Sequence, residues 1–187
     1  MKTIICEKIA RIIKNKKKLE KTLEVKITNR GREVTIEGSP ENEFTAEQVI
    51  DALNFGFPYS EAIYIKTEGR LMEVVNIKDY TNKPNLSSIR ARVIGKGGKA
   101  LKTLSSLTDC AMELKENKIA IIGLPEDLER GTEALIGIIK GAKHGAVYNE
   151  LEKNMPKPIY DLGLKNEREP VTMEEFEKRL QNSEDEE

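Results

Sequence analysis

The sequence predicts an α+β protein made of two tandem copies of one small unit, each a three-stranded antiparallel sheet covered by helices on one face, followed by an extended acidic C-terminal tail. Three observations support this. The chain repeats itself at a fixed shift. Its apolar residues recur with period two in some segments and near 3.6 in others. Its 187 residues, 38% hydrophobic and 34% charged, suit one compact domain or two small ones.

The repeat is the most informative feature. Shifted by 85 residues, Val34-Thr35-Ile36-Glu37-Gly38-Ser39-Pro40-Glu41 lies over Ile119-Ala120-Ile121-Ile122-Gly123-Leu124-Pro125-Glu126. The same shift puts Leu19 on Leu104, Val25 on Cys110, Ile27 on Met112, Leu53 on Ile138 and Gly56 on Gly141. Upstream the register changes: Ile12-Ile13 matches Val93-Ile94 at a shift of 81, whereas Lys14 matches Lys99 at 85. The four residues missing from the first copy are Gly95-Lys96-Gly97-Gly98.

In the second copy, Leu71–Ile77 alternates and is β-rich enough for a strand. Ser87–Ile94 is a short helical or extended approach to the glycines. Lys99–Leu107 is a helix with Leu101, Leu104 and Leu107 on one face. Cys110, Met112 and Leu114 alternate with polar or small residues, the period of a half-buried strand. Glu116-Asn117 turns the chain into the strand Lys118–Ile122. Gly123-Leu124-Pro125-Glu126 then breaks the sheet and starts a helix, with Pro125 in its first turn, running to about Lys140 and ending at Gly141. The first copy gives the same order from Ile4 to about Ile65, with its last helix over Ala46–Leu53. The chain divides accordingly into 1–67, a copy without the glycine loop, 68–153, a copy with it, and the tail 154–187.

Composition excludes several functions. The longest apolar runs fall far short of the ~20 residues of a membrane span, and the N-terminus shows no secretory signal. Two cysteines and one histidine leave no disulfide framework, metal set or Ser-His-Asp arrangement. A soluble, cytoplasmic, non-enzymatic protein without metal or cofactor is expected. The formal net charge is −1, yet charge is segregated. Residues 1–33 carry eleven Lys and Arg against four Glu, and 89–118 carry seven bases against three acids. Residues 37–79 and 167–187 each hold nine acids against three bases. Such blocks are solvated faces, or they suit a protein that meets a polyanion on one side.

Three glycines in four positions, Gly95-Lys96-Gly97-Gly98, cannot be a helix interior. Such a loop lets a ligand approach the main chain and exposes amides at the start of the next helix, where phosphate is attracted. Lys96, Lys99 and Lys102, with Arg90 and Arg92 before them, supply the matching charge. A plain interhelical turn would need only one glycine. Residues 95–100 also match G-x-G-x-x-A, a dinucleotide fingerprint with Glu116 downstream. Against it, Ile89-Arg90-Ala91-Arg92 is not a buried parallel strand, and the first copy keeps its scaffold without the loop.

Ile94-Gly95-Lys96-Gly97-Gly98-Lys99 resembles the I-G-x-x-G-x signature of KH domains, and the order of elements resembles the type I, eukaryotic-type KH unit. The resemblance implies that the loop clamps the backbone of about four single-stranded nucleotides. Bases would lie in a groove of Val93, Ile94, Leu101 and the Cys110–Leu114 strand, whose edge, at Ala111 and Glu113, reads them. Two KH units in tandem, only the second with its loop, resemble the archaeal form of the partner-of-Nob (Pno/Dim) family, and Gly141-Ala142-Lys143-His144-Gly145-Ala146-Val147-Tyr148 is similar to its G-x-x-H-G-x-V-Y ending. This implies a small-subunit ribosome assembly factor that binds the 3′ end of precursor small-subunit rRNA. It further implies assistance to the Nob endonuclease and a link to the alpha subunit of translation initiation factor two. A general single-strand RNA regulator and a protein-interaction adaptor remain as alternatives.

Other residues carry weaker expectations. Lys16, Lys17 and Lys18 replace the clamp in the first copy and are either a secondary phosphate contact or a solvated helix face. His144 follows a helix end, where it caps the helix or touches RNA. Cys110 takes a core position. In the tail, Met155–Tyr160 is extended by prolines, Thr172 and Glu175 form a capping box, and the acidic end is mobile.

Overall fold

The computed structural model describes residues 1–154. The tail's proline stretch, capping box and acidic end lie outside the described residues.

The first half opens with strand β1 (Lys2–Ile5), followed by helix α1 (Ile9–Leu23), strands β2 (Lys26–Arg30) and β3 (Glu33–Glu37) and helix α2 (Pro40–Phe55). Strand order is β1-β3-β2, all antiparallel, with Ile4 opposite Val34 and Ile27 opposite Ile36. Helix α1 runs unbroken through Ile12-Ile13-Lys14, the point where the second copy inserts its glycines. It buries Ile12, Leu19 and Leu23, one stripe at helical spacing. Helix α2 begins six residues before the expected Ala46. Ser39 caps it by accepting from the Asn42 amide at 3.4 Å, Pro40 occupies its first turn, and Glu41 and Glu43 complement the dipole. Two one-turn helices that periodicity does not reveal, α3 (Tyr59–Ala62) and α4 (Tyr64–Thr67), lead out of this half.

The second half repeats the plan with strand β4 (Leu71–Asn76), helix α5 (Leu86–Ile94), the glycine loop, helix α6 (Lys99–Thr108), strands β5 (Ala111–Lys115) and β6 (Lys118–Gly123) and helix α7 (Pro125–Lys140). Its sheet has the equivalent order β4-β6-β5. Leu19 and Leu104 are both fully buried, as are Leu53 and Ile138, so the 85-residue register holds in three dimensions. A last helix, α8 (His144–Asn154), packs on α7. It buries Val147 and Leu151, one turn apart.

The second sheet departs from the one-face expectation. Ile119 and Ile121 of β6 point into the core beneath α5, α6 and α7, whereas Ala120 and Ile122 belong to the core of the first half. All four are completely buried. The physical reason is visible in β6 itself: Ile-Ala-Ile-Ile is continuously apolar, the pattern of a strand covered on both faces. Burying Ile122 contributes about 1.5–3 kcal/mol by area. At the rim of the same junction the Lys115 ammonium donates to Glu7. Among the described residues no helix is long and apolar enough to cross a membrane, and no group of three His, Cys, Asp or Glu is placed to hold a metal ion.

Candidate nucleic-acid interface

The glycine loop joins the C-terminus of α5 to the N-terminus of α6. Gly95 has φ +71°, and a β-carbon there would stand 2.5 Å from the Ala100 β-carbon and 2.9 Å from its amide nitrogen. Only hydrogen fits. Gly97 has φ +62°, but a β-carbon there would meet nothing within 4 Å. Gly95 therefore folds the loop, and Gly97 leaves open space above it. The Gly98 amide bonds back to the Gly95 carbonyl at 3.2 Å, closing the turn at the start of α6, where the dipole is positive.

Lys96, Lys99 and Lys102 are exposed, and among the described residues none of them forms an ion pair. Ile94, 36% exposed, stands at the rim beside them, while Val93 is fully buried in the core. Arg90 is half-buried and donates to the Glu116 carbonyl at 3.5 Å. Arg92 is engaged elsewhere. Its guanidinium donates to the Gly141 carbonyl at 3.0 Å and to that of Ala142, neutralising the C-terminus of α7. The His144 Nε2 lies 3.1 Å from the Arg92 carbonyl; a carbonyl only accepts, so the bond needs the proton on Nε2. The Tyr148 hydroxyl donates to the Ala100 carbonyl at 3.5 Å. Arg92, His144 and Tyr148 thus tie α5, α6, α7 and α8 together behind the loop.

Ala111 and Glu113 lie on edge strand β5, both half-buried. They line a cleft of about 560 Å³ between that edge, the C-terminal end of α6 and the Phe57–Glu68 segment of the first half. Arg70 sits in it, its Nε donating to Glu68 at 2.8 Å, its Nη2 3.7 Å from Asp109 and its guanidinium carbon 5.1 Å from the Tyr64 ring centre. No motif announces this cleft, because it exists only where two distant segments meet. In the first half, Lys16 is 3.9 Å from Glu20 and Lys18 lies 5.9 Å from the Tyr59 ring centre, leaving Lys17 exposed. These lysines are on α1, apart from any loop.

The dinucleotide alternative fails on local structure: Gly95 follows helix α5, not a strand, so the strand-turn-helix that cradles a pyrophosphate is absent.

Residues 71–156 match the family described as eukaryotic type KH-domain, KH-domain type I. A KH domain-containing protein of Methanocaldococcus jannaschii is 31% identical over 149 residues, which cover 76% of this chain and 66% of that one. The pre-rRNA-processing protein pno1 of Emericella nidulans is 27% identical over 140 residues, covering 70% of this chain and 54% of that protein. The chain therefore spans just under two thirds of the first relative and about half of the second. Two crystal structures from Pyrococcus horikoshii, one of Dim2p and one of an a/eIF2alpha-aDim2p-rRNA complex, superpose with a TM-score of 0.73 at 27% identity. Each covers 81% of this chain, and the match takes in 98% and 92% of theirs.

Proposed function

The chain belongs to the Pno/Dim family of KH-domain proteins, and from that premise we propose that it is a non-catalytic, single-stranded RNA-binding factor in the processing of precursor small-subunit rRNA. The observation that carries the reading is the glycine loop, with open space over Gly97 and exposed lysines at 96, 99 and 102. A phosphodiester backbone can lie against such a surface, and a plain turn has no use for that opening. The pno1 relative is by its description a pre-rRNA-processing protein, and the Dim2p neighbour was crystallised with rRNA and a/eIF2alpha. Both support the rRNA assignment.

In finer terms, residues 1–67 and 68–153 act as tandem KH domains, the first degenerate and the second gripping RNA at the 3′ end of precursor small-subunit rRNA. Ile94, Gly95, Lys96, Gly97, Gly98, Lys99 and Lys102 form the clamp, with Arg90 beside it and Ala111 and Glu113 on the reading strand. Arg92 and His144 hold the clamp's scaffold. The protein works in the cytoplasm, presents this end to the Nob endonuclease and pairs with the alpha subunit of initiation factor two. Crosslinking RNA to the full chain in its own cells and sequencing it tests the assignment. Reads concentrated at the 3′ end of small-subunit rRNA support it, and reads spread over messenger RNA contradict it.

A further inference from the structure

We propose that the cleft between the two halves is an additional nucleotide site, which takes one base bearing an exocyclic amino group from the strand held by the glycine loop. This rests on the RNA-binding reading above and extends it.

Position is the first argument. Lys102 and Ser105 of α6 and Asp109, the residue that caps its C-terminus, recur every three or four residues after Gly98, so one stripe leads from loop to cleft. The ten residues of α6 span about 15 Å. A clamp of this kind holds about four nucleotides, and a strand following that stripe delivers its next base to the cleft. Its volume of about 560 Å³ falls within the usual range for small-molecule sites.

Chemistry is the second argument. The Tyr64 ring and the Arg70 guanidinium over it are planar groups of the kind on which unstacked bases lie. The charge of Arg70 is already met by Glu68 and Asp109, so the cleft offers no spare cation to a phosphate. It offers acceptors instead. Glu61 and the reading strand's Glu113 line it, both half-buried, and among the described residues neither carboxylate has a hydrogen-bond or ion-pair partner. A carboxylate only accepts, so these two, facing water in the cleft, can exchange that water for a donor on a bound base. The amino groups of adenine, cytosine and guanine are such donors, and carboxylates are known partners of the cytosine amino group. Uracil has no amino group. A basic side chain of a protein partner would satisfy the carboxylates too, but it would explain neither the stacking planes nor the continuity with the clamp.

The test uses the full chain and fluorescence anisotropy of short labelled RNAs. A four-nucleotide core from the 3′ end of small-subunit rRNA is compared with the same core extended by one nucleotide, A, C, G or U, at either end. At one end, adding A, C or G should tighten binding at least fivefold and adding U should not, and inosine in place of guanosine should lose the gain. Glu61→Ala should erase the gain while binding the core as wild type does. Equal binding of all four extensions at both ends, or a Glu61→Ala protein that keeps the gain, overturns the proposal and leaves the cleft to a basic side chain. If Glu61→Ala does not fold, the wild-type series with inosine decides alone. Failure to bind even the core overturns the RNA-binding reading, and this proposal with it.

Discussion

The Cys110 thiol fills the space where a β-carbon on Gly123 would stand. Eighty-five residues earlier Val25 holds the same relation to Gly38, its Cγ1 2.8 Å from that glycine's missing β-carbon. The repeat therefore preserves a packing contact, with a sulfur replacing a branched carbon. In each copy the glycine ends the middle strand and lets the first residue of the edge-strand segment pack beneath it.

Gly123→Ala should destabilise the protein by about 1–3 kcal/mol, the usual cost of overpacking. Cys110→Ala should recover part of that loss in the double variant, because it removes the colliding atom. Urea unfolding of the four proteins in a double-mutant cycle measures the coupling. Additive costs would mean the contact does not matter.

Both thiols are buried, Cys6 fully, and burial pushes each up to about 11. In Cys6 the nearby Asp51 carboxylate adds to the effect. Alkylation at pH 8 should be slow unless the protein is unfolded. The sign of the linkage also follows. An unfolded thiol loses its proton near the ordinary value of 9 and the folded one near 11. Stability from this source is full below pH 9 and falls as pH rises toward 11. Denaturation midpoints at pH 7, 9 and 11 check this.

Ile122 belongs by sequence to the second copy and by packing to the core of the first. Ile122→Ala should cost about 2–4 kcal/mol and lower the stability of both halves together. Hydrogen exchange on α1 and on α7 should report the same loss. Destabilisation confined to the second half would show that the two cores are independent.

Affinity for single-stranded RNA should fall steeply with salt. Replacing Lys96, Lys99 or Lys102 by Ala should each lower the slope of log affinity against log salt by roughly one phosphate's worth, about 0.7. Arg92→Ala should leave that slope unchanged and lower thermal stability instead, since its guanidinium holds the end of α7. Titrations at several salt concentrations, with a thermal melt of each variant, separate the two roles.

Much of this architecture was legible in the sequence, because a repeat converts one alignment into many packing statements. Pairing Leu19 with Leu104 and Leu53 with Ile138 located equivalent core positions, but the start of α2 at Pro40 lies six residues before the expected Ala46, and the unbroken α1 emerges only in the structure. Arg92 was harder, since charge suggests a ligand contact. Its spacing from Ile89, with Val93 next to it, was the available signal, because residues three and four apart share a helix face. The shared core at Ile122 was hinted at only by the continuous apolar run of β6. The cleft around Arg70 left no local trace at all.

The loop carries the central claim, and one binding titration tests it. Changing Lys96 and Gly97 both to Asp leaves the core untouched, since Lys96 is exposed and a β-carbon on Gly97 meets nothing within 4 Å. Asp also tolerates the left-handed backbone at Gly97 better than most residues. Two carboxylates would stand where a phosphate must approach, adding like-charge repulsion and removing one cation. The variant should fold as wild type by circular dichroism and bind a 3′-terminal small-subunit rRNA fragment roughly a hundredfold more weakly, about 2.7 kcal/mol. The equivalent changes at Lys16 and Lys17, on a helix without a loop, should cost much less. A folded Lys96→Asp, Gly97→Asp protein that binds this RNA as tightly as wild type would contradict the account.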